Sequence, residues 1–408
     1  MSRSIRFASL ALALAGVASM ARAQPAPART DAPGATPAIE GHRALRPFFE
    51  ALARTRDAGT IARVTHLGDS SIGLDDLPHR LRGIYQSRYG DAGPGFVLLQ
   101  ASSGSYANRL LWLRTEAEWD LCFIIHRCAR DGRYGLGGVT VTSSGGAISE
   151  IVLRPGRRIS RAELWYAAHP GGGRIAFRFG RGEAAYERLA TRADVLEDRW
   201  HAIRREPGQH TVRVSADGGG IARAYGVVLE GEGPGVVWDS ISMVGAFTPR
   251  MLASDEAHFA GQLAHRDPAL VVLSFGGNDL RRLIGGVVDE PRFTGETAEV
   301  LSRVRRAVPN AACLLLGITD HAQSGTATVE RHHVETIVRA QRAAAARAGC
   351  AFWSSLEAMG GAGSFEEWQR LGLASTDGKH LSPRGREVIA RRLVAALDHA
   401  EGASRASR

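Results

Sequence analysis

Short apolar runs alternating with helical patterns constrain this chain more than any other feature of its sequence. Residues 61–67 form a mainly apolar run ending in Gly-Asp-Ser, and a helical stretch over about 76–89 follows. Residues 236–243, 269–275, 312–318 and 350–354 are further compact runs, dominated by β-branched, aromatic or other apolar residues. Helical patterns over 297–307 and 330–347 separate the later runs. A last amphipathic helix is expected over about 383–397, with Val388, Ile389, Leu393 and Val394 on one stripe. Strands alternating with helices in this way predict an α/β fold, a parallel sheet covered on both faces.

Residues 101–234 break that rhythm. Short alternating stretches (139–142, 162–166, 175–178 and 210–214) are separated by Gly-rich turns such as 171–173 and 218–220. Many short strands with Gly turns and almost no helical periodicity predict an antiparallel β-sandwich. The expected organisation is a core of residues 41–100 and 235–398, interrupted after its first β-α unit by an all-β insert at 101–234. Residues 399–408 are expected as a disordered tail.

The N-terminus reads as an export signal over residues 1–23. Arg3 and Arg6 precede a short apolar run from Phe7 to Met20, and Ala21-Arg22-Ala23 supplies a small-x-small cleavage pattern. The alternative is an uncleaved anchor, against which the run is short and interrupted by Arg22. Residues 24–40, rich in Pro and Ala, are expected as a flexible linker. After cleavage no integral membrane span is expected, and the chain belongs in the periplasm or outside the cell. The formal charge of +9 falls to +6 when the three arginines of residues 1–23 leave with no acid. Lys379 is the single lysine, and no basic block is interleaved with aromatics, so nucleic acid is not an expected partner. A diffuse positive field favours anionic envelope polymers, although Arg spread over solvated faces explains the charge as well.

Four cysteines, Cys122, Cys128, Cys313 and Cys350, include no CxxC pair, and no metal or organic cofactor is expected. Cys122 and Cys128 are close enough to bridge in an oxidising compartment, and Cys313 and Cys350, near two strand starts, are placed to meet. Buried free thiols remain the alternative for either pair.

Hydrolysing an ester near neutral pH needs an activated nucleophile, a base for its proton and donors for the oxyanion. Gly68-Asp69-Ser70 follows the first core strand, which places Ser70 at the carboxyl edge of the sheet. Asp377-Gly378-Lys379-His380 precedes the last helix, and a carboxylate three residues from an imidazole in a turn is able to orient it. Each block has a bland alternative as an ordinary turn. Gly276-Gly277-Asn278-Asp279 closes a very apolar strand, so Asn278 is either an oxyanion donor or part of a helix cap. Gly245 follows another strand and leaves its backbone N–H accessible. Lesser candidates are Asp320-His321 as a loop ion pair or a pocket wall, His332-His333 as surface residues, and His66 as a core histidine. Trp165, Tyr166 and Trp238 are expected in the core, with sugar stacking as the alternative.

Taken in order, Gly68-Asp69-Ser70, Gly245, Gly276-Gly277-Asn278-Asp279 and Asp377-Gly378-Lys379-His380 resemble the four blocks of the SGNH/GDSL hydrolases. The resemblance implies a flavodoxin-like three-layer core, with Ser70 as nucleophile, His380 as general base and Asp377 as its orienting acid. It implies an oxyanion hole from the Ser70 and Gly245 backbones and the Asn278 side chain, with Asp69 and Gly277 in support. Residues 89–96 and 351–361 also resemble an insert-bearing subset that includes periplasmic peptidoglycan O-acetylesterases, whose insert is similar to a carbohydrate-binding module. Ser71-Ile72 and Met243-Val244 depart from the residues usual there. The implied activity is that of an exported serine esterase removing acyl groups, acetyl above all, from a cell-envelope glycan such as peptidoglycan. The resemblance also leaves a lipolytic or aryl esterase, an O-acyltransferase with the same triad, and an inactive glycan-binding protein. The expected partner is an acylated glycan or small ester, and the sequence gives no oligomeric state.

Overall fold

The computed structural model describes residues 32–406 apart from 181, 183 and 324–328. The expected signal peptide and the first residues of the expected linker lie outside the described residues. Helix α1 (Arg46–Asp57) leads into strand β1 (Ile61–Gly68), a tight 3-10 segment at Ser70–Asp75 and helix α2 (Asp76–Tyr89). A run of strands follows: β2 (Gly95–Val97), β3 (Leu111–Ala117), β4 (Asp120–Phe123), β5 (Val139–Ser143), β6 (Ile148–Leu153), β7 (Ile159–Ala168), β8 (Arg174–Gly180), β9 (Glu187–Ala190), β10 (Glu197–Gly208), β11 (Thr211–Ala216) and β12 (Ala222–Glu230). Helices then return between strands: β13 (Gly235–Ser242), α3 (Glu256–Arg266), β14 (Leu270–Ser274), α4 (Leu280–Ile284), α5 (Glu290–Ala307), β15 (Ala312–Leu316), α6 (Arg331–Ala348), β16 (Ala351–Trp353), α7 (Ser355–Met359), α8 (Phe365–Arg370) and α9 (Pro383–Ala406).

Strands β13, β1, β14, β15 and β16 lie side by side in that order, and every neighbouring pair is parallel. Their side chains alternate between two buried layers, as the pleat requires. Leu270 and Val272 of β14 pack with α1, α2 and α9, whereas Val271 and Leu273 pack with α3, α5 and α6. This is the expected α/β core. In the register, Gly68 of β1 lies opposite both Ser242 and Ser274, so three strands end level at one rim.

The remaining strands form two antiparallel sheets. One runs β10-β7-β12-β5-β4, with β2 also paired to β12; the other runs β3-β6-β11-β8-β9. Burial alternates strictly along β6 and β11, because one face of their sheet meets the sandwich interior and the other meets water. Strand β7 is buried almost throughout, because the back of its sheet rests on the hydrolase layer. The ring of Trp165 on β7 lies edge-on to His265 of α3 with centroids 5.1 Å apart. Buried Arg266 of α3 bonds Glu230 at the end of β12 and Asp239 of β13. Sandwich and core share one continuous apolar cluster.

Three expectations change in detail, and the open alternative at the cysteines is resolved. The insert begins before residue 101, since Gly95–Val97 already pairs with β12. Residues 32–40 are not free linker: Glu40 exchanges two backbone bonds with Phe352 on the edge strand β16, and Trp353 donates to the Pro37 carbonyl. Covering an open sheet edge in this way satisfies groups that would otherwise face solvent unpaired. The expected disordered tail at 399–408 is helical through Ala406, because Ala400 extends the buried stripe of α9 by one more turn. Both cysteine pairs are disulfides, Cys122–Cys128 and Cys313–Cys350.

Candidate active site

β1 ends at Gly68, and a Cβ there would lie 2.8 Å from the Ser274 carbonyl and 2.9 Å from the Ile72 side chain. Only glycine lets the chain turn that tightly against β14. The turn is then tied down on several sides. Asp69 N–H donates to the Ser274 carbonyl at 3.0 Å, and the Asp69 carboxylate accepts from Ser71 N–H at 2.8 Å. Leu74 and Asp75 adopt left-handed backbone conformations, and buried Arg82 holds the Asp75 carboxylate with two hydrogen bonds. The insert contributes as well: the Ser105 carbonyl accepts from Leu74 N–H, and Arg109 N–H donates to Asp75.

This turn presents Ser70, whose Oγ lies 2.8 Å from His380 Nε2. His380 sits in the turn before α9, with Nδ1 2.6 Å from an Asp377 carboxylate oxygen. The other Asp377 oxygen accepts from the N–H groups of Lys379 and His380, both at 2.9 Å. Partial burial pushes the Asp377 carboxyl upward, but bonds from the His380 backbone and ring and from Lys379 outweigh it and hold the group at about 2. The carboxylate is thus charged, and a charged carboxylate accepts Nδ1–H and leaves Nε2 to face Ser70 as an acceptor.

Across the cleft stands Asn278, after β14. Its Oδ1 accepts from Arg281 at 3.4 Å, while its Nδ2 donates to the Ala246 carbonyl at 3.1 Å and reaches Asp69 at a long 3.5 Å. Gly245, one residue before that carbonyl, is exposed, with φ +83 and nothing within 4 Å of a hypothetical Cβ. Its backbone conformation, not lack of space, calls for glycine. Gly277 and Asn278 both line the cleft beside Ser70 and His380. Burial raises the Asp69 carboxyl to about 6, against the lowering effect of its Ser71 bonds.

The other histidines separate cleanly. Buried His66 receives Trp238 Nε1–H on Nδ1, so its Nε2–H donates to Ser274 Oγ at 2.8 Å. Burial, then the Arg82 charge, lowers its pKa to about 3, and it remains a neutral core residue. His321 is not in an ion pair with its neighbour. Asp320 instead accepts from the Gly363 and Phe365 N–H groups at the start of α8, while the His321 ring lines the cleft and donates Nδ1–H to the Thr319 carbonyl. Burial holds His321 near 4, hence neutral. Its position at the carboxyl end of β15, the same rim as Ser70, was the signal in the sequence. His332 and His333 lie with Glu330 at the start of α6, the one group among the described residues spaced to hold a metal ion, and none of the three lines the cleft. Trp165, Tyr166 and Trp238 are buried. No described helix is long and apolar enough to cross a membrane.

Residues 184–388, half of the chain, match the GDSL-like lipase/acylhydrolase family. The chain belongs to this family. It is an ester-hydrolysing enzyme, and the matched region, which begins inside the insert, carries Gly245, Asn278, Asp377 and His380 but not Ser70. The hydrolase is similar in fold to a solved peptidoglycan O-acetylesterase: TM-score 0.71 at 20% identity, covering 88% of this chain and 96% of that one. A family two carbohydrate esterase from Cellvibrio japonicus aligns over 72% of this chain and 98% of its own, at 11% identity and a TM-score of 0.29. No curated protein sequence matches the hydrolase.

Proposed function

We propose that the protein is an exported serine esterase that removes O-acetyl groups from an acylated cell-envelope glycan such as peptidoglycan. One observation carries the catalytic reading: Ser70 Oγ, the His380 ring and the Asp377 carboxylate form an unbroken hydrogen-bonded chain across contacts of 2.8 and 2.6 Å. In this reading Ser70 Oγ attacks the acyl carbonyl carbon while its proton passes to His380 Nε2. The carbonyl oxygen takes up negative charge, and the backbone N–H groups of Ser70 and Gly245 and the side chain of Asn278 stabilise it. The Asn278 amide hydrogen now spent on the long contact to Asp69 is the one offered to the oxyanion. Collapse of the intermediate breaks the bond to the sugar oxygen, which leaves with the proton from His380. Water, deprotonated by the same imidazole, then frees the acyl group as the carboxylic acid.

Asp69 and Gly277 support these groups by fixing the nucleophile turn and leaving room beside it. The glycan part of the reading draws on the likeness to the peptidoglycan O-acetylesterase and on the β-sandwich beside the core. The test is hydrolysis of p-nitrophenyl acetate and of O-acetylated peptidoglycan by wild type and Ser70→Ala, with fluorophosphonate labelling of both. Loss of activity and of label in the variant is expected. Retained acetate release removes Ser70 from the mechanism, and turnover of the small ester without release from the polymer removes peptidoglycan as the substrate.

A further inference from the structure

Beside the cleft, a second concavity is built from two parts of the chain that are far apart in sequence. Phe247, Pro249 and Val287 give it an apolar floor, and Arg127, Arg250, Arg281 and Arg282 line it. It adjoins the candidate active site directly: Arg281 touches the Asn278 side chain, and Phe247 follows the Gly245-Ala246 loop. The guanidinium carbons of Arg250 and Arg282 lie 6.0 and 5.7 Å from the centre of the Phe247 ring.

Four guanidinium groups facing one hollow repel each other, and only Arg282 is neutralised, by Asp279 and Glu296. Arg127, Arg250 and Arg281 form no ion pair among the described residues. Burial and the charges of Arg127 and Arg282 push the Arg250 guanidinium below its ordinary value, as expected of a cation crowded by cations. Arg127 is also held in place by its backbone. It has φ +53, its N–H donates to the Ile124 carbonyl, and it sits inside the loop closed by the Cys122–Cys128 disulfide. Guanidinium groups without a carboxylate partner, one of them beside the Phe247 ring, suit a carboxylate carried on a ring.

We infer that this hollow is an anionic subsite, in which Arg127 of the insert and Arg250 and Arg281 of the core bind a carboxylate of the acylated glycan while its ester lies at Ser70. The inference rests on the serine esterase reading and narrows its substrate to an acidic sugar. It gives the insert a role at the active site through one residue.

The experiment uses a matched pair, 6-O-acetyl-N-acetylmuramic acid and its N-methylamide, which differ in one negative charge and share the scissile acetyl group. The wild type should prefer the acid by about tenfold or more in kcat/KM, the range for losing a charge-assisted hydrogen bond. The preference should shrink as salt is raised. Arg250→Gln combined with Arg127→Asn, a residue that tolerates the left-handed backbone, should abolish the preference through KM and leave p-nitrophenyl acetate turnover unchanged. Equal rates on acid and amide in the wild type overturn the subsite, as does a variant that keeps the preference or slows all three substrates alike. Failure of the underlying reading looks different: Ser70→Ala would then hydrolyse p-nitrophenyl acetate as well as the wild type does.

Discussion

Replacing Asp377 with Asn tests the geometry of the candidate triad more sharply than removing Ser70. One Asp377 oxygen already accepts two backbone N–H groups, from Lys379 and His380, and the other faces His380 Nδ1. In Asp377→Asn the amide oxygen keeps the two backbone bonds, which puts the NH2 group opposite Nδ1. A donor there favours the imidazole tautomer with its proton on Nε2, pointing at Ser70 and unable to act as a base. Flipping the amide gives up two hydrogen bonds of about 1 kcal/mol each, so the unproductive arrangement wins by roughly thirtyfold. The variant also loses the carboxylate that balances the imidazolium. Asp377 is 44% exposed, so a value between the screened and the interior limits applies, about 2 kcal/mol or another thirtyfold. Together kcat should fall about a thousandfold. Asp377→Ala loses the carboxylate and its hydrogen bonds but puts no donor opposite Nδ1, and should therefore be the faster variant, by about tenfold or more. The assay is p-nitrophenyl acetate hydrolysis at pH 7.5, with circular dichroism to confirm folding. An Asn variant as active as the Ala variant, or one keeping above about a tenth of wild-type kcat, would refute the tautomer argument.

Other expectations follow from buried groups. Asp69 carries a pKa of about 6 against an ordinary 3.8, so its contribution to stability is complete below about 3.8 and is lost as pH rises through 6. Thermal melts of Asp69→Asn and wild type from pH 4 to 7.5 should shift in favour of the variant with rising pH; parallel curves would contradict the raised value. Replacing Cys313 and Cys350 together by Ala and Val opens a loop with a sequence separation of 37 and should cost about 4 kcal/mol in urea unfolding. An unchanged midpoint would show that the bridge does not constrain the unfolded chain. Arg266→Ala leaves Asp239 and Glu230 with a lost buried partner and should destabilise the protein by about 3–5 kcal/mol, measured by the same method. A loss below about 1 kcal/mol would mean that Arg63, which also donates to Glu230, and the surrounding donors suffice.

The sequence by itself determined the α/β class, because strands buried on both faces leave uninterrupted apolar runs and their crossover helices leave a separate period. It also marked the insert, since β11 has one face in water and therefore alternates, and Gly-rich turns separate the short strands. The four polar blocks were legible for a related reason: each ends an apolar run or precedes a helix, and parallel strands bring such ends to a common rim. Only the tertiary structure decided which of those side chains touch. The 2.8 Å contact between Ser70 and His380 spans 310 residues, and no local pattern encodes it. His321 was weighed as half of a loop ion pair, yet the start of α8 takes Asp320 and the ring turns to the cleft. The cationic hollow was invisible for the same reason, as Arg127 and Arg250 are ordinary surface letters until the sandwich folds back onto the core. Local sequence specifies periodicity and turns, which are short-range properties of the backbone, whereas a site depends on distances set by packing between segments that the chain order keeps apart.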